Sequence, residues 1–301
     1  MRINWRTGLV VKAAVIVAAA ATLGTAQNKL LLEKTFAEGS IMRVEVDAEA
    51  CDVDVSQGGS GIVVKIYGDD DADKYLEFSA EQDGSTLEVG AEKRGGFNSL
   101  SDVDARIEIA VPASAIDLSV KTAGGDVSCS DVNGGAINLK TAGGDVSVTE
   151  GGGELSAKTA GGDISVTDYD GPVELKTAGG DVSVVGVKGA VNAKTAGGDV
   201  RVESENGDVD AETAGGDLDV VYSGDVESIT LGTSAGDIRL SIDEDAKADL
   251  EITTNIGDIS VSHPGANVTK SKDGKLEAEI NGGGGSIEIN ASVGDVSVVA
   301  N

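Results

Sequence analysis

Six aspartates, Asp126, Asp145, Asp163, Asp181, Asp199 and Asp217, each follow a pair of glycines and recur at intervals of 19, 18, 18, 18 and 18 residues. The first chemistry such a row suggests is calcium binding, since successive turns of a coil can supply oxygens to one ion. Calcium-binding β-rolls, however, repeat G-G-x-G-x-D-x-U-x every nine residues. Here one aspartate falls in each repeat and no second glycine-aspartate turn is in phase, so the match is partial. The plainer reading is a charged face whose aspartates also bond turn amides. Carboxylates one strand spacing apart, about 4.8 Å, repel by about 3 kcal/mol at an effective dielectric near 20, so the row needs a compensating partner. Lys121, Lys140, Lys158, Lys176 and Lys194, each five residues upstream, are the expected one. Where Glu212 replaces the lysine, Arg201 and Arg239 are the candidate partners for Asp217. A second acidic cluster, GDDDAD at Gly68 to Asp73, reads as a solvated loop.

Other chemistries find less. His263 is the single histidine and precedes Pro264 in an expected turn, which leaves no Ser-His-Asp or Cys-His arrangement. A carboxylate pair of the glycosidase kind could be drawn from 52 acids. Sugar subsites want aromatic platforms, though, and from Ala113 to Asn301 the aromatics are Tyr169 and Tyr222. No P-loop, dinucleotide fingerprint or zinc spacing is present, and no cofactor is expected. Ice binding would need a flat outward threonine or serine ladder. The repeat's threonines fall inward, and the outward Ser128, Ser147, Ser165 and Ser183 are flanked by aspartates.

The elements that position these residues follow from one repeat, "GPVELKTAGGDVSVV" at Gly171 to Val185. Val173, Leu175 and Thr177 alternate inward with Glu174 and Lys176 outward; after the corner, Val182 and Val184 return inward. Period two, twice per repeat, with a fixed repeat of 18, means stacked short strands. The expected fold is all-β, a single-stranded β-solenoid of about 18 residues per coil. Its structural corners are Gly124, Gly125, Gly143, Gly144, Gly161, Gly162, Gly179, Gly180, Gly197, Gly198, Gly215 and Gly216. Identical corners stack closely and often require positive φ. The second turn, "NGG", "GGG", "DG" and "KG" at Asn133, Gly151, Asp170 and Lys188, is looser and could bulge. Treating the gap from Asp258 to Asp295 as two coils predicts ten rungs from Val120 onward, a rod of roughly 45 to 50 Å. Residues 27–112 read as irregular first coils and a cap continuous with the repeat solenoid of 113–301.

Residues 1–26 resemble a secretory signal peptide: Arg2 and Arg6 precede an apolar stretch closed by Gly24 and Ala26, and cleavage is expected after Ala26. An uncleaved anchor is the alternative. Cleavage removes Arg2, Arg6 and Lys12 and no acid, moving the net charge from −29 to −32. Nucleic acid and anionic lipid are therefore poor partners, while cations, basic proteins and neutral glycans fit. Cys51 stands where the repeat places a glycine before aspartate, and Cys129 takes the inward slot of Val148 and Val184. They read as buried free thiols, with one disulfide as the alternative.

The run "ARIEIAVPASAIDLSVKTAGGDVSCSDVNGG" from Ala105, the repeated "GDVSV" strands and the ending "GGGGSIEINASVGDVSV" resemble the bacterial putative-adhesin family of domains of unknown function. The resemblance covers roughly residues 35–301 and implies a right-handed β-helical coil, export to the periplasm, cell surface or medium, and no catalytic residues. The expected function is a non-enzymatic, adhesin-like binding scaffold of the cell envelope with an unidentified protein or glycan partner. The alternatives are a periplasmic envelope-stress or regulatory partner and, less favoured, a carbohydrate-active enzyme.

Overall fold

A computed structural model describes residues 29–37, 39–95, 103–113 and 116–301; the leader read at residues 1–26 lies outside them. The described residues are all-β apart from one short helix. Alternating sequence becomes two rows of parallel strands. After each glycine-aspartate corner run Ile164–Asp170, Val182–Val187, Val200–Glu205, Leu218–Ser223 and Ile238–Ile242. Before each corner run Val173–Lys176, Val191–Lys194, Val209–Thr213 and Ser228–Thr233. As far as Ser228–Thr233 and Ile238–Ile242, each strand pairs in parallel with its counterpart one repeat later, Ile164 with Val182 and Val173 with Val191. The inward set is as expected: Val173, Leu175, Val182, Val184, Val191, Ala193, Val209 and Ala211 are all buried. With mostly aliphatic side chains turned inward from both rows of strands, the buried residues form one core cluster that runs along the stack.

Chain order and stacking order part company at both ends. The coil of Arg43–Ala48 and Asp52–Gln57 lies between the strands Thr86–Lys93 and Ala105–Val111 on one side and Asp117–Thr122 and Val127–Lys140 on the other. At the far end, Gly285–Val293 and Val296–Ala300 sit directly on Ser228–Thr233 and Ile238–Ile242. The earlier coil, Ala248–Ile256 and Ile259–Ser262, is pushed outside them. Residues expected to make a tenth rung instead form the antiparallel hairpin Ala266–Lys272 and Lys275–Ile280. Its turn, Asp273 and Gly274, has positive φ at both positions, as a two-residue hairpin turn requires. From Val120 onward nine aspartate corners therefore stack, in the order Asp126, Asp145, Asp163, Asp181, Asp199, Asp217, Asp237, Asp295, Asp258.

The GDDDAD segment is not a loop but opens the helix Asp70–Tyr75. Asp69 caps it, its Oδ1 accepting the Ala72 amide at 2.6 Å, and three acids in the first turn suit the helix dipole. Lys29 bridges Asp70 and Asp73 at 3.1 and 3.2 Å, tying the helix to the strand Lys29–Ala37.

Candidate functional site

The corner is the part of the molecule whose chemistry repeats, and each residue of T-A-G-G-D has a definable job. Thr177 points inward and is buried. Its Oγ1 donates to the carbonyl of Gly162 in the preceding coil at 2.8 Å and accepts the amide of Gly180 in its own coil at 3.3 Å. Thr141, Thr159, Thr195 and Thr213 repeat both contacts. The threonine thus sets the corner's shape and binds it to the preceding coil at once.

None of the twelve corner glycines has φ in the left-handed region. For these twelve the expectation is corrected: positive φ sits at the looser second turn, at Gly171 and Gly189 among others, and at the first corner in the later copies, at Gly236, Gly257 and Gly294. At the first corner what matters is close approach, and it concerns one glycine of each pair. A Cβ on Gly180 would lie 2.1 Å from the carbonyl oxygen of Gly162, and Gly144, Gly162, Gly198 and Gly216 are equally crowded.

The aspartates form a ladder of their own. Asp163 Oδ1 accepts the backbone amide of Asp181 at 2.8 Å, Asp181 Oδ1 that of Asp199 at 2.8 Å, and the series runs from Asp52 through Asp126 to Asp258. Carboxylates that repel along the row are offset by charge-assisted bonds to amides, not by lysines. Asp163→Asn keeps the acceptor and removes the charge, so its urea midpoint should match or exceed the wild type. Asp163→Ala should lose about 1–2 kcal/mol.

The lysine row pairs elsewhere, which corrects the expected Lys–Asp compensation. Glu174 lies between Lys158 at 2.9 Å and Lys176 at 2.5 Å, and Lys194 reaches Asp210 at 2.9 Å and Glu212 at 3.2 Å. Likewise Arg201 bonds Asp219 at 3.0 Å and Glu203 rather than Asp217. The cause is sheet geometry: side chains on the same face meet, either two residues apart in one strand or directly or diagonally across one rung, while the corner carries Asp217 onto another face. Lys176, then Lys158, hold the Glu174 carboxyl down to about 2. A depressed carboxylate contributes stability above its ordinary pKa of about 4.3, and this is lost as pH falls toward 2. With both partners well exposed, the contribution is below about 1 kcal/mol, and Lys176→Ala should cost no more than that. An NMR titration should place Glu174 near 2 and return it to the ordinary carboxylate range in a Lys158→Ala, Lys176→Ala variant.

Other candidates take structural places. Each motif aspartate spends Oδ1 on an amide, and among the described residues no three acids, histidines or cysteines converge to hold a metal ion. His263 is buried; its Nδ1 accepts the Gly265 amide at 3.1 Å and its Nε2 donates to the Asp243 carbonyl at 3.0 Å. Tyr169 and Tyr222 are buried in the core, so neither offers a platform for a sugar ring. Cys51 and Cys129 are free and buried, and burial pushes each thiol up to about 12, which makes both inert as nucleophiles. Cys129 pairs with Val55, four extended residues from Cys51, or roughly 13 Å, well beyond a disulfide's reach.

Sequence reasoning did not find the open groove of about 610 Å³ on the face after the corner, lined by Asp54, Ser56, Lys65, Arg106, Glu108 and Ser128. Lys65 comes from the strand Gly61–Gly68, antiparallel to Ala105–Val111, and no periodic signal in the sequence marks that strand as a neighbour of the repeat. The groove's charges largely satisfy one another, Arg106 bonding both Asp54 and Glu108.

Residues 41–299 match the family model described as Toastrack DUF4097. Solved structures that align with the chain include a "putative adhesin" of Bacteroides fragilis, 14% identical with TM-score 0.45 over 90% of this chain and 97% of that one. Two others are a "putative lipid binding protein" of Parabacteroides distasonis, 13% identical with TM-score 0.43 over 91% and 98%, and a "putative cell adhesion protein" of Clostridium sporogenes, 13% identical with TM-score 0.23 over 91% and 100%. No curated protein matches the chain.

Proposed function

The chain belongs to the Toastrack DUF4097 family, and from that premise we propose that it is a non-enzymatic, exported, adhesin-like scaffold of the bacterial cell envelope. The observation that carries this reading is the use made of the motif. Threonine, second glycine and aspartate all serve the contact between coils, so the repetition builds length and a regular outer surface. In this reading the fold is a single-stranded solenoid of about 18 residues per coil, right-handed as the family resemblance implies. Residues 1–26 are its leader, residues 27–112 its first coils and cap, and residues 113–301 the repeat array. Its partner is a protein or a glycan, met by the outward rows of polar side chains, where repetition offers multivalent contact.

Accessibility tests the proposal. The tagged protein on intact source cells should react with an impermeant label while a periplasmic control does not. Protection until lysis would replace the surface role with that of an internal envelope partner. Turnover on a panel of polysaccharides, abolished by replacing one or two acids, would overturn the non-enzymatic reading.

A further inference from the structure

The same corner that stacks the coils leaves two charged rows of identical period on neighbouring faces. One is the aspartate ladder, whose members are exposed and held in fixed orientation because Oδ1 accepts the next rung's amide. Among the described residues no side chain pairs with their second oxygens. The other is the lysine row. Its later members are bridged by Glu174, Asp210 and Glu212, but Lys121 and Lys140 are exposed and form no ion pair among the described residues. They sit beside the uncharged Ser119 and Asn138, and the row ends at Asp47, one rung before Lys121.

We propose that the unpaired lysines of one rod engage the aspartate ladder of a second copy lying alongside it. Spacing favours this occupant. Both rows repeat at the rung spacing of the one fold, about 4.8 Å, so a contact made at one rung is in step at the next. An acidic polysaccharide would have to match that period with its own residue length. The approach is also sterically open, because the corner carrying the aspartates exposes small residues such as Ala142 and Ala160. The net charge of −29 opposes association at long range. At physiological ionic strength that repulsion is screened beyond about 8 Å, while contacts between facing rows lie inside this distance. The inference concerns self-association and does not rest on export or adhesion.

Sedimentation equilibrium of the full chain at physiological ionic strength, from micromolar to submillimolar concentration, tests it. The wild type should self-associate. Lys121→Glu with Lys140→Glu should lower the association constant at least about tenfold. So should Asp163→Asn with Asp181→Asn, which keeps the corner acceptors. Lys188→Glu with Lys272→Glu makes the same change in net charge off the row and should have little effect. A wild type that stays monomeric throughout, or off-row substitutions as damaging as on-row ones, would overturn the proposal. So would a monomer whose Lys121 and Lys140 instead mediate binding to polygalacturonate.

Discussion

Gly180→Ala is expected to lower the thermal midpoint severely, whereas Gly179→Ala should leave it almost unchanged. A Cβ at Gly180 would stand 2.1 Å from the Gly162 carbonyl oxygen and 2.4 Å from its carbon, and backbone cannot swing aside as a side chain can. Relief requires this coil to move away from its neighbour by about 1 Å, and the bonds from Thr177 to Gly162 and from Asp181 to Asp163 span that same gap. Overpacking combined with stretched hydrogen bonds should cost at least about 3 kcal/mol. Gly179 is exposed, its nearest neighbours for a Cβ are carbonyl oxygens at 3.6 Å, and its φ is not left-handed. Nothing in the structure explains why that first position is glycine. Equal losses in the two variants, measured by thermal melting under identical conditions, would show that the crowding at Gly180 is not what fixes the corner.

The contrast shows what a repeat makes legible. Alternation gave the inward set of Val173, Leu175, Val182 and Val184 and the strand register, because burial on one face admits only one phase. "GG", by contrast, repeats as a unit, and only the position of the neighbouring coil separates a glycine under a carbonyl from one facing solvent. The same limit hid the order of the last rungs. Asp237, Asp258 and Asp295 offer equivalent corner chemistry, so sequence cannot say which coil lies next to which; the structure seats Asp295 on Asp237 and Asp258 on Asp295. Two local signals in the sequence do mark departures from the plain repeat. "KDGK" at Lys272 to Lys275 is the Asp-Gly hairpin turn that removes a rung from the stack. Asp69, three residues before Ala72, is the N-cap that makes a helix of an acidic run. The partners of Lys158 and Lys194 needed the register itself, since Glu174 and Asp210 meet them across rungs, whereas Glu174 and Lys176 stand two residues apart on one strand face.

Thr177→Val should destabilise the stack more than Thr177→Ser, although simple burial predicts the opposite. Thr177 is 8% exposed, and valine has nearly its shape, a higher affinity for the core and a strong preference for strands. If packing alone held the corner, valine would be neutral or stabilising. The hydroxyl, however, satisfies the Gly162 carbonyl at 2.8 Å and the Gly180 amide at 3.3 Å, and both groups lie where the stacked corners exclude water. Removing it orphans a donor and an acceptor together, at about 1–3 kcal/mol each. Against a gain of about 1 kcal/mol from the added methyl, the expected net loss is about 1–5 kcal/mol, or about 3 kcal/mol at the middle of that range. Serine keeps both bonds and gives up one methyl, a loss of about 1 kcal/mol. Urea unfolding of the two variants separates the accounts. A valine variant as stable as wild type would mean the threonine row is held by packing, while the order serine above valine makes the paired hydroxyl bonds the fastening between successive coils.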